Sequence, residues 1–322
     1  MRISYWLTGA IVGLLLAAGG AHAQQRYPTK PIRLIVPFAP GGGTDIVARV
    51  IAQKLTESFG ASVVVDNRPG GGGTIGTETA VRANPDGYTM TIVSAGYATN
   101  AALYKLPYDP VNDVAPIALV GETGNLVTLH PSVPVKSIKE LIAYDKANPG
   151  KLNYGSAGTG SSAHLAAELF NQMAGTRMTH VPYKGVGLAL NDLLGGQIQL
   201  IVGGMPGMIP QVKLNRLRGI AVTTAKRSNA VPDIPTVSET VPGYEVVQWF
   251  AVLGPKALPK DIVGRWNKEI NRILQLPEVK ERMAGDGIEP AGGSPERFRE
   301  VLNRDVTKWQ KVVKAGNIKL GS

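Results

Sequence analysis

The chain has 322 residues, 43% of them hydrophobic, with no cysteine and a formal net charge of +10. It is long enough for two ordinary domains or one large α/β domain, and it lacks the means for a disulfide framework, a thiolate metal site or a cysteine-borne lipid. Lys and Arg are scattered and aromatics make up only 6%, which argues against a nucleic-acid surface; the charge reads as solubility with a mild attraction for anions.

Residues 1–23 read as an export signal. Arg2 precedes an apolar run through Ile11, Val12, Leu14, Leu15 and Leu16, and Ala21-His22-Ala23 supplies a cleavage site, so the cut is expected between Ala23 and Gln24. No later stretch has the roughly 20 apolar residues that span a bilayer. An exported, soluble protein is expected.

After the polar lead-in, Ile32, Leu34, Ile35 and Val36 form a strand between Pro31 and Pro37, and Ile46, Val47, Val50, Ile51 and Leu55 predict a helix over 44–59. Between them lies Pro40-Gly41-Gly42-Gly43-Thr44-Asp45. Glycines let backbone approach a ligand closely, and the first N–H groups of a helix lack partners within it. A carboxylate placed there gains hydrogen bonds and about 0.3–1 kcal/mol from the helix dipole. A plain strand-to-helix turn capped by Thr44 or Asp45 is the alternative.

A strand over 62–65, a helix over 74–84 and a strand over 89–93 follow, the last running into a loop at Ser94-Ala95-Gly96-Tyr97. Strand and helix alternate, which predicts a parallel sheet. Residues 117–130 are extended and pass into a second lobe, where Ser137 and Glu140 form a capping box for a helix reaching Asn148.

Lys151 to His164 then repeats the first device. A strand through Leu152 and Tyr154 runs by Gly155, Gly158 and Gly160 into a helix opened by Ser161 and Ser162 and stopped at Gly175. Two such turns on opposite lobes can hold one small acid between them. A strand over 178–183, a helix over 188–194, a strand over 199–202, a turn at Gly203 to Gly207 and a strand over 217–224 complete an α/β second lobe. Residues 246–253 read as the return passage, and only helices follow, over 260–275, 277–284 and 295–315. The expected division is 24–124 plus 250–322 for the first lobe and 125–249 for the second, with two crossings as a hinge.

Catalytic and cofactor signatures fail. There is no G-x-S-x-G elbow and no Walker lysine; Gly71-x-Gly73-x-x-Gly76 fits the dinucleotide fingerprint, but no strand ending in a ribose-binding acid follows. His130, His164 and His180 have no metal-ligand spacing, so no metal and no cofactor are expected. Tyr183, at a strand end, is a candidate for the cleft. Of Trp249 and Phe250, which alternate faces, at most one can look into it. The rival is an exported hydrolase or transferase using Ser161 with His164, for which no orienting acid lies nearby in sequence.

Several motifs resemble the Bug family, the periplasmic solute-binding components of tripartite tricarboxylate transporters. They are Val36-Pro37-Phe38-Ala39-Pro40-Gly41-Gly42 with Asp45, Asn67-Arg68-Pro69-Gly70 with Gly72-Gly73, Pro85-Asp86-Gly87-Tyr88, Tyr154-Gly155-Ser156 with Gly158, Gly160, Ser161 and His164, and Val181-Pro182-Tyr183-Lys184-Gly185. The resemblance implies a two-lobed clamshell, each lobe a mainly parallel sheet flanked by helices. It implies a monomer that closes on a small organic carboxylate and hands it to membrane permease subunits. It nominates Phe38, Ala39, Gly41, Gly42, Thr44 and Asp45 on one lobe and Ser156, Gly158, Gly160, Ser161 and His164 on the other, with Ala95 and Gly96 on a flanking loop. Where many relatives carry a polar or acidic pair, this chain has Gly203-Gly204. That pair enlarges the pocket and argues against an amino acid ligand.

Overall fold

The computed structural model describes residues 27–316, so the export signal and its cleavage site lie outside the described residues. Among the described residues no helix is long and apolar enough to cross a membrane. The first sheet begins with β1 (Ile32–Val36), β2 (Val63–Asn67) and β3 (Thr89–Ser94), parallel in the order β2-β1-β3. They are linked through α1 (Gly43–Phe59) and α2 (Thr74–Val81). After β3 the chain forms α3 (Gly96–Leu103), where a loop was expected.

A single sixteen-residue strand, β4 (Val114–Leu129), runs through both halves of the molecule. Up to Gly124 it pairs antiparallel with β9 (Val247–Pro255), which also pairs antiparallel with β3, while β10 (Ile288–Pro290) pairs with Gly121 to Thr123. From Asn125 onward β4 belongs to a second sheet. There it lies antiparallel to both β7 (Leu200–Gly204) and β8 (Arg218–Val222), and β5 (Asn153–Ser156) and β6 (Thr179–Pro182) extend the β7 side in parallel. Parallel ladders thus lie to the outside, and antiparallel ones form the middle, where the chain passes between lobes.

The second sheet carries α4 (Ile138–Ala147), α5 (Ser162–Ala174), α6 (Val186–Leu194) and α7 (Met205–Lys213). Three helices follow β9: α8 (Lys260–Ile273), α9 (Pro277–Gly285) and α10 (Pro295–Gly316). The expected all-helical tail is therefore interrupted by β10. The expected turn at Gly203 to Gly207 is instead the end of β7 and the start of α7. The capping box at Ser137 is half formed, because Ser137 accepts the Glu140 N–H (3.2 Å) while the Glu140 carboxylate takes the Lys136 N–H (2.7 Å), one residue early.

Apolar spacing places each helix. Leu34, Ile51, Leu55, Trp266 and Ile270 fill one face of the first sheet, and Trp249, Leu253, Phe298 and Leu302 fill the other. Trp249 and Phe250 do alternate, but both are interior, and Trp249 donates to Asp305 (2.7 Å). In the second lobe Val127, Tyr154 and Phe170 pack on one face and Leu193, Ile201 and Met208 on the other.

The lobes are shut against each other. The Ala39 N–H donates to the Lys184 carbonyl (3.0 Å), the Tyr104 hydroxyl to Thr159 O (2.8 Å) and the Thr99 hydroxyl to Gly160 O (2.5 Å). At two points backbone meets backbone so closely that a Cβ would overlap the facing carbonyl oxygen: Gly72 against Thr159, and Gly187 against Pro40.

Candidate ligand-binding site

Two strand-to-helix turns open on one cavity. From the first lobe, Phe38, Gly42, Gly43 and Thr44 line it at the start of α1; from the second, Ala157, Ser161, Ser162 and Ala163 line it at the start of α5. Ser94 ends β3 beside them, Val186 and Gly204 bring in the starts of α6 and α7, and Gln248 enters from β9.

No lining side chain is ionisable. The polarity is that of the backbone. Gly42, the N-cap of α1, is extended (φ −84°, ψ 167°) and offers no side-chain cap, and the N–H groups of Gly43 and Thr44 have no partner among the described residues. Ser161 caps α5 through the His164 N–H (3.3 Å), leaving the Ser162 and Ala163 N–H groups equally without partners. Such donors, with the positive ends of their helices behind them, suit an anion.

The expected site residues separate into wall and support. Phe38, Gly42, Thr44, Ser161 and Gly204 are on the wall. Gly41 (φ 85°) and Asp45 build the first turn from behind: the buried Asp45 carboxylate accepts from the Gly41 N–H, Arg49 Nε and Asn67 Nδ2, each at 3.0 Å. Burial pushes that carboxyl up, but the bonds from Arg49, Gly41 and Asn67 outweigh it and hold the pKa below the ordinary value. Asp45 is thus an internal brace. Its charge is already used, and it does not face the cavity. Ala39 serves in the contact between lobes rather than on the wall.

The second turn is braced in the same way. Ser156 Oγ accepts the Gly158 N–H (3.1 Å) and lies 2.6 Å from His180 Nε2, while His164 Nδ1 accepts the Gly160 N–H (3.2 Å). The His164 and His180 rings are 4.1 Å apart, with Tyr154 stacked on His180 at 5.0 Å. Ser156, Gly158, Gly160 and His164 therefore stand behind the wall. Tyr183 turns away and donates to Asp192 (2.7 Å), so it does not reach the cleft. Gly203 is inside β7, where a Cβ would press on Ile201, and only Gly204 faces the cavity. Ala95 is the N-cap of α3 and Gly96 its first residue, packed beside Ser162 rather than on a loop.

Sequence reasoning missed Gln248 and Ser94, which are 5% and 4% exposed. The Ser162 hydroxyl donates to Gln248 Oε1 (2.9 Å). The available signal was one polar residue within the otherwise apolar run from Val246 to Leu253. Gly43, Ser162, Ala157, Ala163 and Val186 were passed over because they lack distinctive chemistry.

The histidine pair has a measurable consequence. Burial and the neighbouring His164 pull His180 down from 6.5 to about 3, and burial lowers His164 against the opposing pull of Glu168. An unfolded chain protonates these rings near 6.5, whereas the folded one resists. Their contribution to stability is complete above pH 6.5 and is lost progressively from there toward pH 3. The unfolding free energy should fall over the upper part of that window with a slope of up to about 1.4 kcal/mol per pH unit per proton, and the melting temperature should fall with it. A His180→Phe variant should show a flatter profile. An unchanged slope in that variant would remove His180 as the cause.

The sequence profile described as "Tripartite tricarboxylate transporter family receptor" matches residues 47–318. The chain belongs to this receptor family. Among curated relatives, the protein BugT of Bordetella pertussis is 36% identical over 318 residues, covering 97% of this chain and 98% of its own. Among solved structures, the periplasmic binding protein BugD superposes with a TM-score of 0.89 at 36% identity, covering 91% of this chain and 99% of its own. Rpa4515 of R. palustris, solved with adipate, gives 0.88 at 38% identity and covers 91% and 99%. MatC of Rhodopseudomonas palustris, solved with malate, gives 0.86 at 29% identity and covers 89% and 100%.

The two-lobed fold is thus that of the periplasmic binding proteins. In this receptor Ser161 and His164 do share a turn. The serine oxygen takes the His164 backbone N–H, and the ring nitrogen Nδ1 is occupied by Gly160.

Proposed function

We propose that the protein is an exported receptor, cut near Ala23, that traps a small organic carboxylate between its lobes and delivers it to permease subunits as a monomer. The observation that carries this reading is the meeting of two helix starts, α1 and α5, with unpartnered N–H groups around one cavity that has no ionisable side chain. Relatives solved with adipate and malate support the carboxylate as ligand class. The lobes are 24–124 with 250–322 and 125–249. This division is supported by the change of sheet between Gly124 and Asn125 and by β9 joining the first sheet from Val247.

Recognition is by binding and closure, without a chemical step. Amides of the two turns bind the carboxylate, Thr44 and Ser161 add hydroxyls, and Phe38 and Val186 cover the carbon skeleton. No carboxylate lines the cavity to balance an ammonium group, which agrees with Gly203-Gly204 in disfavouring amino acids.

Titration calorimetry with malate and adipate, backed by mass spectrometry of any acid released on denaturation, tests the reading. A micromolar complex, about −8 kcal/mol, is expected for the right acid, recovered unchanged. Conversion of the acid to product would favour a hydrolase or transferase instead.

A further inference from the structure

The two strands that join the lobes have a hollow on each side. Successive residues of a strand point to opposite faces of its sheet, so Gln248 of β9 enters the cavity between the lobes while Val247, 41% exposed, looks the other way. Gly124 of β4 stands opposite Val247, and Glu122 of β4 opposite Glu289 of β10, so these four share the far face. There they line a notch of about 350 Å³, closed on the second-lobe side by the loop from Thr224 to Ser228.

The notch is narrowest over the crossing itself. A Cβ on Gly124 would stand 2.8 Å from Met205 Cε and 2.9 Å from Thr224 Cγ2, so the second-lobe wall reaches β4 at this point and draws away from the first lobe beyond it. Both walls carry charge that the shut form does not use. Glu122 and Glu289 lie side by side on the first-lobe wall, and neither carboxylate has a hydrogen bond or ion pair among the described residues. On the second-lobe wall, beside Glu245, the Lys226 ammonium also lacks a partner among the described residues, whereas Arg227 is turned to Glu239 at 2.8 Å.

We propose that this notch is the counter-space of the hinge: the receptor opens by folding its lobes into the notch, and whatever fills the notch keeps the lobes shut. β4 and β9 lie between the two hollows, so a rotation about them that widens the cavity narrows the notch. The same rotation carries Lys226 toward Glu122 and Glu289, which gives the open form an ion pair in place of the interlobe hydrogen bonds it loses. The inference goes beyond the carboxylate reading and depends on no ligand.

Hydrogen exchange of the ligand-free protein tests it at Ala39, whose N–H is bonded to Lys184 O on the other lobe and exchanges when the lobes part. Val247→Trp and Ala225→Trp fill the notch from a hinge strand and from the second-lobe loop, each from an exposed position where the ring overpacks neither core. Both should slow exchange at Ala39 about tenfold. Leu214→Trp, equally exposed but outside the notch, is the control. Lys226→Glu adds no bulk and should slow exchange as well, an effect that high salt removes. Unchanged or faster exchange in both notch-filling variants, or equal slowing in the control, would overturn the counter-space assignment. No slowing in Lys226→Glu, or slowing that salt does not relieve, would overturn the ion pair. Failure of the unsubstituted protein to bind any acid by calorimetry would overturn the carboxylate reading alone, because the exchange result stands without a ligand.

Discussion

Gly42→Asp abolishes carboxylate binding while the melting temperature holds or rises. Gly42 is the N-cap of α1 with an extended backbone, and a Cβ there meets Gly187 N at 3.7 Å and Val186 at 3.8 Å, both ordinary contacts. Aspartate is among the best N-cap residues, so the new carboxylate takes the free amides of α1 for itself, with a few tenths of a kcal/mol gained over glycine. The site is then filled by the protein's own anion, and a ligand must displace it against like-charge repulsion. A loss of more than about 100-fold in affinity, near 3 kcal/mol, is expected by calorimetry. Gly42→Asn, which caps without charge, should lose less. Normal affinity in the aspartate variant would show that α1 does not bind the anion.

Gly187→Ala holds the receptor open. The residue is the second of α6, outside the left-handed region of backbone space, and alanine favours a helix over glycine by up to about 1 kcal/mol, so the second lobe should be at least as stable. The added methyl fails elsewhere, against the Pro40 carbonyl of the other lobe, where backbone cannot yield as a flexible side chain does. Apparent affinity scales with the fraction of molecules able to close, so a hundredfold loss of that fraction weakens binding by about the same factor. Small-angle scattering with saturating ligand should show the variant remaining extended. Gly264→Ala on α8, where nothing lies within 4 Å, is the matched control. A compact Gly187→Ala protein with full affinity would mean that the Gly187–Pro40 contact does not govern closure.

Much of this architecture is readable from residue pattern alone. The first strand, its glycine turn and the helix to Phe59 stand out because apolar spacing changes abruptly from that of a strand to that of a helix across three glycines. The helix Gly96–Leu103 does not, since Ala, Thr and Asn carry little amphipathic signal and it opens on glycine; tertiary packing against α10 and α5 decides it. Three residues ending in proline, Ile288–Pro290, are too few to signal a strand, and only the free edge of β4 makes them one. In the site, the two turns were legible because glycines at such positions are costly without a reason. The division between wall and support was not. Whether Asp45 or His164 faces ligand or backbone depends on side-chain direction, which Arg49, Asn67 and His180 settle from distant or unremarkable sequence positions.

The place of β9 bears on how the molecule is assembled. It lies between β3 and β4, so the middle of the first sheet is supplied by residues made only after the whole second lobe. A nascent chain that ends before Val247 has two facing strands with nothing between them, and contacts so distant in sequence make for slow folding. For a periplasmic receptor that delay is useful: a polypeptide unable to complete its central sheet early stays threadable until its last quarter begins to cross the inner membrane.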